Sequence, residues 1–224
     1  MSLRRLWLEL TARLEGAGRY LSFFLLRMIL AWEFGEAGWR KLQGDNWFGQ
    51  IPWAEWQRGF TFPMDRLPME VNWYLAMGGE LLFSVMLFLG LGTRFAALGL
   101  LLIDAVAMTA VHWPAQWGSL AELWQGYAIT AEAHGNYKLP LLYAIMLLPL
   151  IFHGGGKLSM DHWILEQLIG RKPHPREDRP AWGLAAAILG LFLVFPLPWV
   201  GGALLLLSLF WFWPWLLKSL RTVR

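Results

Sequence analysis

Three ionisable residues lie where an oily chain carries few. Arg27 opens RMILAWEF, Glu80 sits in GGELLFSVMLF and Asp104 in LGLLLIDAVAM, all otherwise dominated by apolar residues. A lone charge at mid-bilayer costs at least about 2.5–3.5 kcal/mol on insertion scales. Such a residue is therefore paired, hydrated in a cavity or neutralised, and is a functional candidate by default. Glu80 is eleven residues before Leu91, and Asp104 is ten after Arg94. A hairpin turning at Gly92–Thr93 puts both acids at nearly one depth, roughly 15–17 Å from the inner turn at the helical rise. Arg27 falls about 12 Å from the inner end of its own segment by the same rise. The spacing predicts that Arg27, Glu80 and Asp104 meet near mid-membrane if all face the bundle axis. Two acids competing for one guanidinium leave one as a proton acceptor, so Glu80 and Asp104 are the candidate catalytic pair and Arg27 the ligand-binding group. The competing reading is a buried ion pair that fixes helix packing.

The other polar groups point to simpler roles. Glu36 and Arg40, four apart, can pair on one helix face, with Glu33 on the same side. Arg40 and Lys41 fall near the outer end of the segment, where long stems snorkel to water. His112 and His134 lie toward the outer side. Two histidines there could bind a metal or haem, but no ligand spacing is visible, so no bound metal is expected and both read as interfacial. Ser159 reads as a helix N-cap with Asp161 in the first turn. The preceding HGGG permits a sharp chain exit. It follows no strand and matches no phosphate-loop pattern, which argues against a nucleotide. With no cysteine in the chain, disulfides, thiol redox cycling and iron–sulfur ligation are excluded.

The elements that must position these residues are transmembrane helices. Of 224 residues, 57% are hydrophobic and 16% charged, and sixteen are Trp, a residue that favours membrane–water interfaces. Apolar segments run over about 20–42, 73–91, 94–112 and 137–152. The uncharged stretch 181–217 is long enough for two short spans reversing at PLPWVGG. The expected fold is all-α: a polytopic four-helix membrane bundle plus a C-terminal transmembrane hairpin, about six spans in all. Of the nineteen Lys and Arg, Arg40, Lys41, Arg58, Arg66 and Lys138 fall on the outer side and Arg27 within the membrane. The other thirteen fall on the inner side, which predicts both termini inside. Residues 1–18 read as an amphipathic helix on the cytoplasmic face, 19–170 as the bundle, and 171–224 as a basic linker and hairpin. Outer loops fall at 43–72 and 113–136. Their Trp47, Phe48, Trp53, Trp56 and Phe60, and Trp113, Trp117, Trp124 and Tyr127, read as an aromatic belt or as a lid over an outward-opening site. The basic residues are spread over several loops, so the lipid bilayer is the expected partner and nucleic acid is not.

Arg27, Phe34, Gly38 and Lys41 fall at i, i+7, i+11 and i+14, one helix face. In that spacing they resemble the first helix of the DoxX family. The run GGELLFSVMLFLGLGTRFAALGLLLIDAVAM resembles the family's second and third helices, with Glu80 at its acid and Arg94 in its inner turn. FHGGGKLSMDHW is similar to the family's closing G-G-[KR]-x-S-x-D pattern. VHW at 111–113 and HGNY at 134–137 resemble a proteobacterial subgroup found with bufferin-type, metal-binding-peptide clusters. The hairpin from Ala181 departs from the family's four helices.

The resemblance implies an inner-membrane subunit of a redox-linked complex that binds a quinone or similar amphiphile, with Arg27, Lys41 and His112 as ligand-binding residues. Glu36, Arg40, Arg94, Ser159 and Asp161 would be structural. As an enzyme it would be a non-autonomous subunit of a quinone-linked oxidoreductase, with electrons supplied by protein partners in the membrane or periplasm. A non-catalytic scaffold or assembly factor is the alternative. A small-molecule or proton transporter comes third, because no repeat or broken-helix pair supports it.

Overall fold

The computed structural model describes residues 3–50, 66–114, 116–129, 135–170 and 175–222, and all regular structure among them is helical. Helix α1 spans Leu3–Gln43, α2 Met69–Leu89 and α3 Thr93–Ala107, which runs on as a π-helical turn over Met108–His112. Then come α4 (Leu120–Gln125), α5 (Lys138–His153), α6 (Met160–Ile169), α7 (Arg179–Leu193) and α8 (Pro198–Thr222). Met69–Leu89, Thr93–His112 and Pro198–Trp215 are long and apolar enough to cross a membrane, and α5 and α7 are shorter apolar helices. Trp53, Trp56, Phe60 and His134, singled out above, lie outside the described residues.

Helix α1 differs from expectation. The surface helix foreseen over 1–18 and the first span are one rod of 41 residues, about 60 Å long. No Pro interrupts it. Gly16 and Gly18 each weaken a helix by only about 1 kcal/mol, too little to end it. Its buried residues Arg27, Leu30, Ala31, Phe34 and Gly38 lie along one face.

The chain forms two compact units, one of Met1–Ile103 with Leu142–Lys172, the other of Asp104–Leu141 with Pro173–Arg224. In the first, α1 and α2 pack antiparallel at Gly35 against Ser84 and Gly38 against Leu81. α2 meets α3 through Phe83 and Phe95, whose rings lie edge to face at 5.6 Å. α5 meets α1 through Tyr143 against Phe34, at 5.5 Å, and His153 against Phe23, at 5.6 Å. Leu30, Leu87, Leu100, Leu147 and Leu150 fill the interior, while Leu82, Val85, Phe88 and Phe95 face outward. Small residues at the contacts and large apolar ones outside suit lipid, where helices gain little from the hydrophobic effect and associate by close packing.

In the second unit, α7 and α8 form a hairpin whose close approach uses Gly183 beside Ser208 and Gly190 beside Leu205. In the same unit a few bonds tie residues 112, 123 and 135–137 together. The His112 carbonyl accepts N–H groups from Gly135 at 3.1 Å and Asn136 at 3.2 Å, and the Tyr137 hydroxyl donates to Leu123 O at 2.9 Å. α4 lies in this segment, where a loop was expected. Ser119 Oγ accepts from Glu122 N at 3.3 Å and Glu122 Oε2 accepts from Gly118 N at 2.8 Å, a variant of the capping box written in the sequence as S-L-A-E.

Candidate functional site

The hairpin turn between α2 and α3 is built around Arg27. Gly90 takes the left-handed conformation, φ 70°, that ends α2. The Arg27 guanidinium donates to Leu87 O at 2.8 Å, Phe88 O at 3.1 Å and Gly155 O at 3.1 Å, and also to Leu158 O. It thus binds carbonyls at the end of α2, where Leu87 O also accepts from Gly90 N at 3.1 Å, and ties them to the loop after α5. The Asp161 carboxylate completes the turn by accepting from Gly92 N at 2.6 Å and Thr93 N at 2.7 Å, the start of α3. Ser159 Oγ accepts from His162 N at 3.2 Å, and Arg94 Nη1 donates to Ile151 O and Phe152 O, both at 2.6 Å, at the end of α5.

The meeting of Arg27 with Glu80 therefore does not occur. A helix end near Tyr20 would set Arg27 well inside the membrane, and α1 has no end there. Interhelical register sets the depth instead. Gly35 lies opposite Ser84 and Gly38 opposite Leu81, so continuing that register inward puts Arg27 at the turn. Continuing it outward puts Lys41 beside Glu80. Lys41 Nζ bonds Glu80 Oε2 at 2.7 Å and Oε1 at 2.9 Å, with the Lys41 side chain 15% and the Glu80 side chain 6% exposed. Lys41 does not snorkel to water; it faces the packed side of α1, as Arg27, Phe34 and Gly38 do. Asp104, in the second unit, is buried, and its Oδ2 meets no hydrogen-bond partner among the described residues. His112 Nδ1 lies 2.6 Å from Asn136 Oδ1 in that same unit.

Beside the Lys41–Glu80 pair is a cleft of about 420 Å³ lined by Glu33, Glu36, Ala37, Arg40, Lys41, Trp47 and Tyr143. Glu36 and Arg40 pair at 2.5 Å near its mouth. The Tyr143 hydroxyl, from α5, donates to Glu33 Oε2 at 2.6 Å. Sequence reasoning passed over Glu33 and Tyr143 as site residues. They are 110 residues apart, and no local spacing links them. The cleft offers carboxylates, a guanidinium, an ammonium, a phenol and an indole within one small volume, enough to orient a polar head group.

Gly38 sets the spacing behind this site. A Cβ there would lie 2.9 Å from Leu81 Cγ, 3.0 Å from Glu80 Cβ and 3.1 Å from Leu81 N. Gly38→Ala is expected to push α1 off α2 and destabilise the protein by about 1–3 kcal/mol, as overpacking does. Gly78→Ala, where a Cβ meets nothing within 4 Å, should be neutral or slightly stabilising. Thermal unfolding of the two variants in detergent separates these outcomes.

The family model DoxX matches residues 22–113, which include Arg27, Lys41, Glu80 and Asp104. A protein of Haemophilus influenzae, described only as uncharacterized, is 40% identical over 149 residues, covering 66% of this chain and 87% of that relative. No solved structure matches.

Proposed function

The chain belongs to the DoxX family, and from that premise we propose a multi-pass subunit of a bacterial inner membrane that holds the polar end of an amphiphile in the cleft of its first unit, within a redox-linked complex. The proposal takes six crossings: α1, α2, α3 with its π turn, α5, α7 and α8. Both termini lie inside, in keeping with the thirteen inner Lys and Arg. At 16 and 15 residues, α5 and α7 are short for a hydrocarbon core about 30 Å thick. Their freedom from charge beyond Lys138 and Arg179 supports them as spans.

The observation that carries the ligand reading is Lys41, held by Glu80 on one side and lining the cleft on the other. Two of its three N–H groups go to Glu80, which leaves one for a carbonyl or anionic oxygen of a ligand. The family resemblance suggests a quinone. Its ring would lie among Trp47 and Tyr143, its oxygen would accept from Lys41, and Glu80 would take or return a proton through Lys41. Electrons would come from a partner subunit. Protein purified in mild detergent is expected to carry quinone, and Lys41→Gln to lose most of it. Quinone no higher than in an unrelated membrane protein from the same cells would refute the quinone.

A second reading is favoured by the inner turn. Arg27, Ser159 and Asp161 all bond backbone groups, so these motif residues serve architecture. A scaffold or assembly factor, for a metal-binding-peptide or stress system of the bufferin type, requires no more than that. It predicts a constant set of co-purifying proteins, lost on deleting residues 43–72 and indifferent to Glu80→Gln.

A further inference from the structure

The charges of the cleft have an order that a quinone does not need. We propose that the cleft is a receptor for a zwitterionic head group, with an ammonium on Glu33 and a phosphate or carboxylate on Arg40. This rests on the cleft being a ligand site, and not on that ligand being a quinone.

Glu33, Glu36, Ala37 and Arg40 fall at i, i+3, i+4 and i+7 of α1, so one face of one helix presents them to the cleft. The acids come first and the bases, Arg40 and Lys41, last. From Glu33 to Arg40 is about 10 Å along the axis, less the inward reach of both side chains.

The pairing within the cleft is uneven. Lys41 is neutralised by Glu80, and Glu36 by Arg40. Among the described residues Glu33 meets the neutral Tyr143 hydroxyl, and no Lys or Arg pairs with it. Its charge is half-buried and answered by a single dipole, which leaves a seat for a cation. Trp47 and Tyr143 line the same volume, and aromatic faces attract ammonium groups. Arg40 bonds Glu36 through Nη2, and its side chain is 75% exposed at the mouth, where its other N–H groups can take an anion in a forked geometry. A neutral ring would use neither feature. A purely anionic head would be repelled by Glu33 and Glu36. A head with both signs satisfies both ends. Phosphoethanolamine carries that chemistry as a lipid head group or as a free solute, and amino acids carry it with a carboxylate.

The test uses the full-length protein in detergent and calorimetric titration. The ligands are short-chain phosphatidylethanolamine, short-chain phosphatidylglycerol, free phosphoethanolamine and a short-chain benzoquinone. Phosphatidylethanolamine is expected to bind roughly tenfold or more tightly than phosphatidylglycerol, which lacks the ammonium. Glu33→Gln should remove that preference by weakening phosphatidylethanolamine, while phosphatidylglycerol, relieved of one repelling carboxylate, binds no worse than before. Arg40→Gln, at an exposed site that does not threaten folding, should weaken both lipids. Free phosphoethanolamine binding as well as the lipid identifies a soluble zwitterion, and binding only with acyl chains identifies the lipid; either supports the proposal. Equal affinity for the two lipids, no effect of Glu33→Gln, or no binding of any zwitterion overturns it. Quinone binding without zwitterion binding overturns it and leaves the quinone reading standing. Zwitterion binding without quinone binding supports it and removes the quinone.

Discussion

Arg27→Ala should lower the stability of the protein by about 3–5 kcal/mol, a large part of the 5–15 kcal/mol that holds a typical domain together. The size follows from what the side chain does. Four backbone carbonyls, of Leu87, Phe88, Gly155 and Leu158, accept from one guanidinium that is 1% exposed. A buried acceptor left without a donor loses about 1–3 kcal/mol. Gly155 O bears this in full, Leu87 O keeps its bond from Gly90 N at 3.1 Å, and Phe88 and Leu158, closer to solvent, recover part from water; the void left by a large buried side chain adds the rest. Arg27→Lys should fall between, because an ammonium has three donors and no planar fork. The same experiment tests whether Arg27 is coupled to the membrane acid. If the two were an ion pair, Glu80→Gln would soften the effect of Arg27→Ala. As they share no bond, the two changes should add to within about 0.5 kcal/mol. Thermal unfolding of the single and double variants in one detergent measures both claims.

What the sequence disclosed and what it concealed divide along physical lines. The edges of α2, α3 and α5 follow from hydrophobic length and from Gly and Pro, which are local signals. Ser159 as a cap is legible for the same reason, and so is a turn near Gly92, although it runs from Gly90 to Gly92 and Thr93 already opens α3. The partners of charged residues are not local. The depth of Arg27 depends on where α1 lies against α2, and that register is fixed by Gly35 and Gly38 meeting Ser84 and Leu81. Lys41 was half legible. Its closeness to the helix end suggested snorkelling, while its place on the face of Arg27, Phe34 and Gly38 pointed inward, and the face was the better guide. Glu33 and Tyr143 had no mark beyond their types, so the wall of the cleft emerged only from the packing of α5 on α1. The helix at 120–125 is written locally as S-L-A-E, a cap followed three residues on by an acid, inside a segment whose Trp content suits an aromatic belt as well.

The Lys41–Glu80 pair allows architecture and ligand binding to be separated. Removing one member of a buried pair strands the other charge, so Lys41→Met should destabilise by about 3–5 kcal/mol. Glu80→Met should do the same from the other side. Replacing both by Met removes both charges at similar volume, and such exchanges are often neutral or stabilising, so the double variant should regain most of the lost stability. An interaction energy of several kcal/mol in the resulting cycle, read from unfolding in detergent, would establish the pair as mutually dependent. Near-additive losses would mean that the bonds at 2.7 and 2.9 Å do not form in solution. The double variant then isolates the function. If the pair exists only to fasten α1 to α2, a protein with Met at both positions folds and behaves as the wild type does. If Lys41 also presents its third N–H to a ligand, the variant folds yet binds the head group weakly, because no packing repair restores a donor to the wall of the cleft.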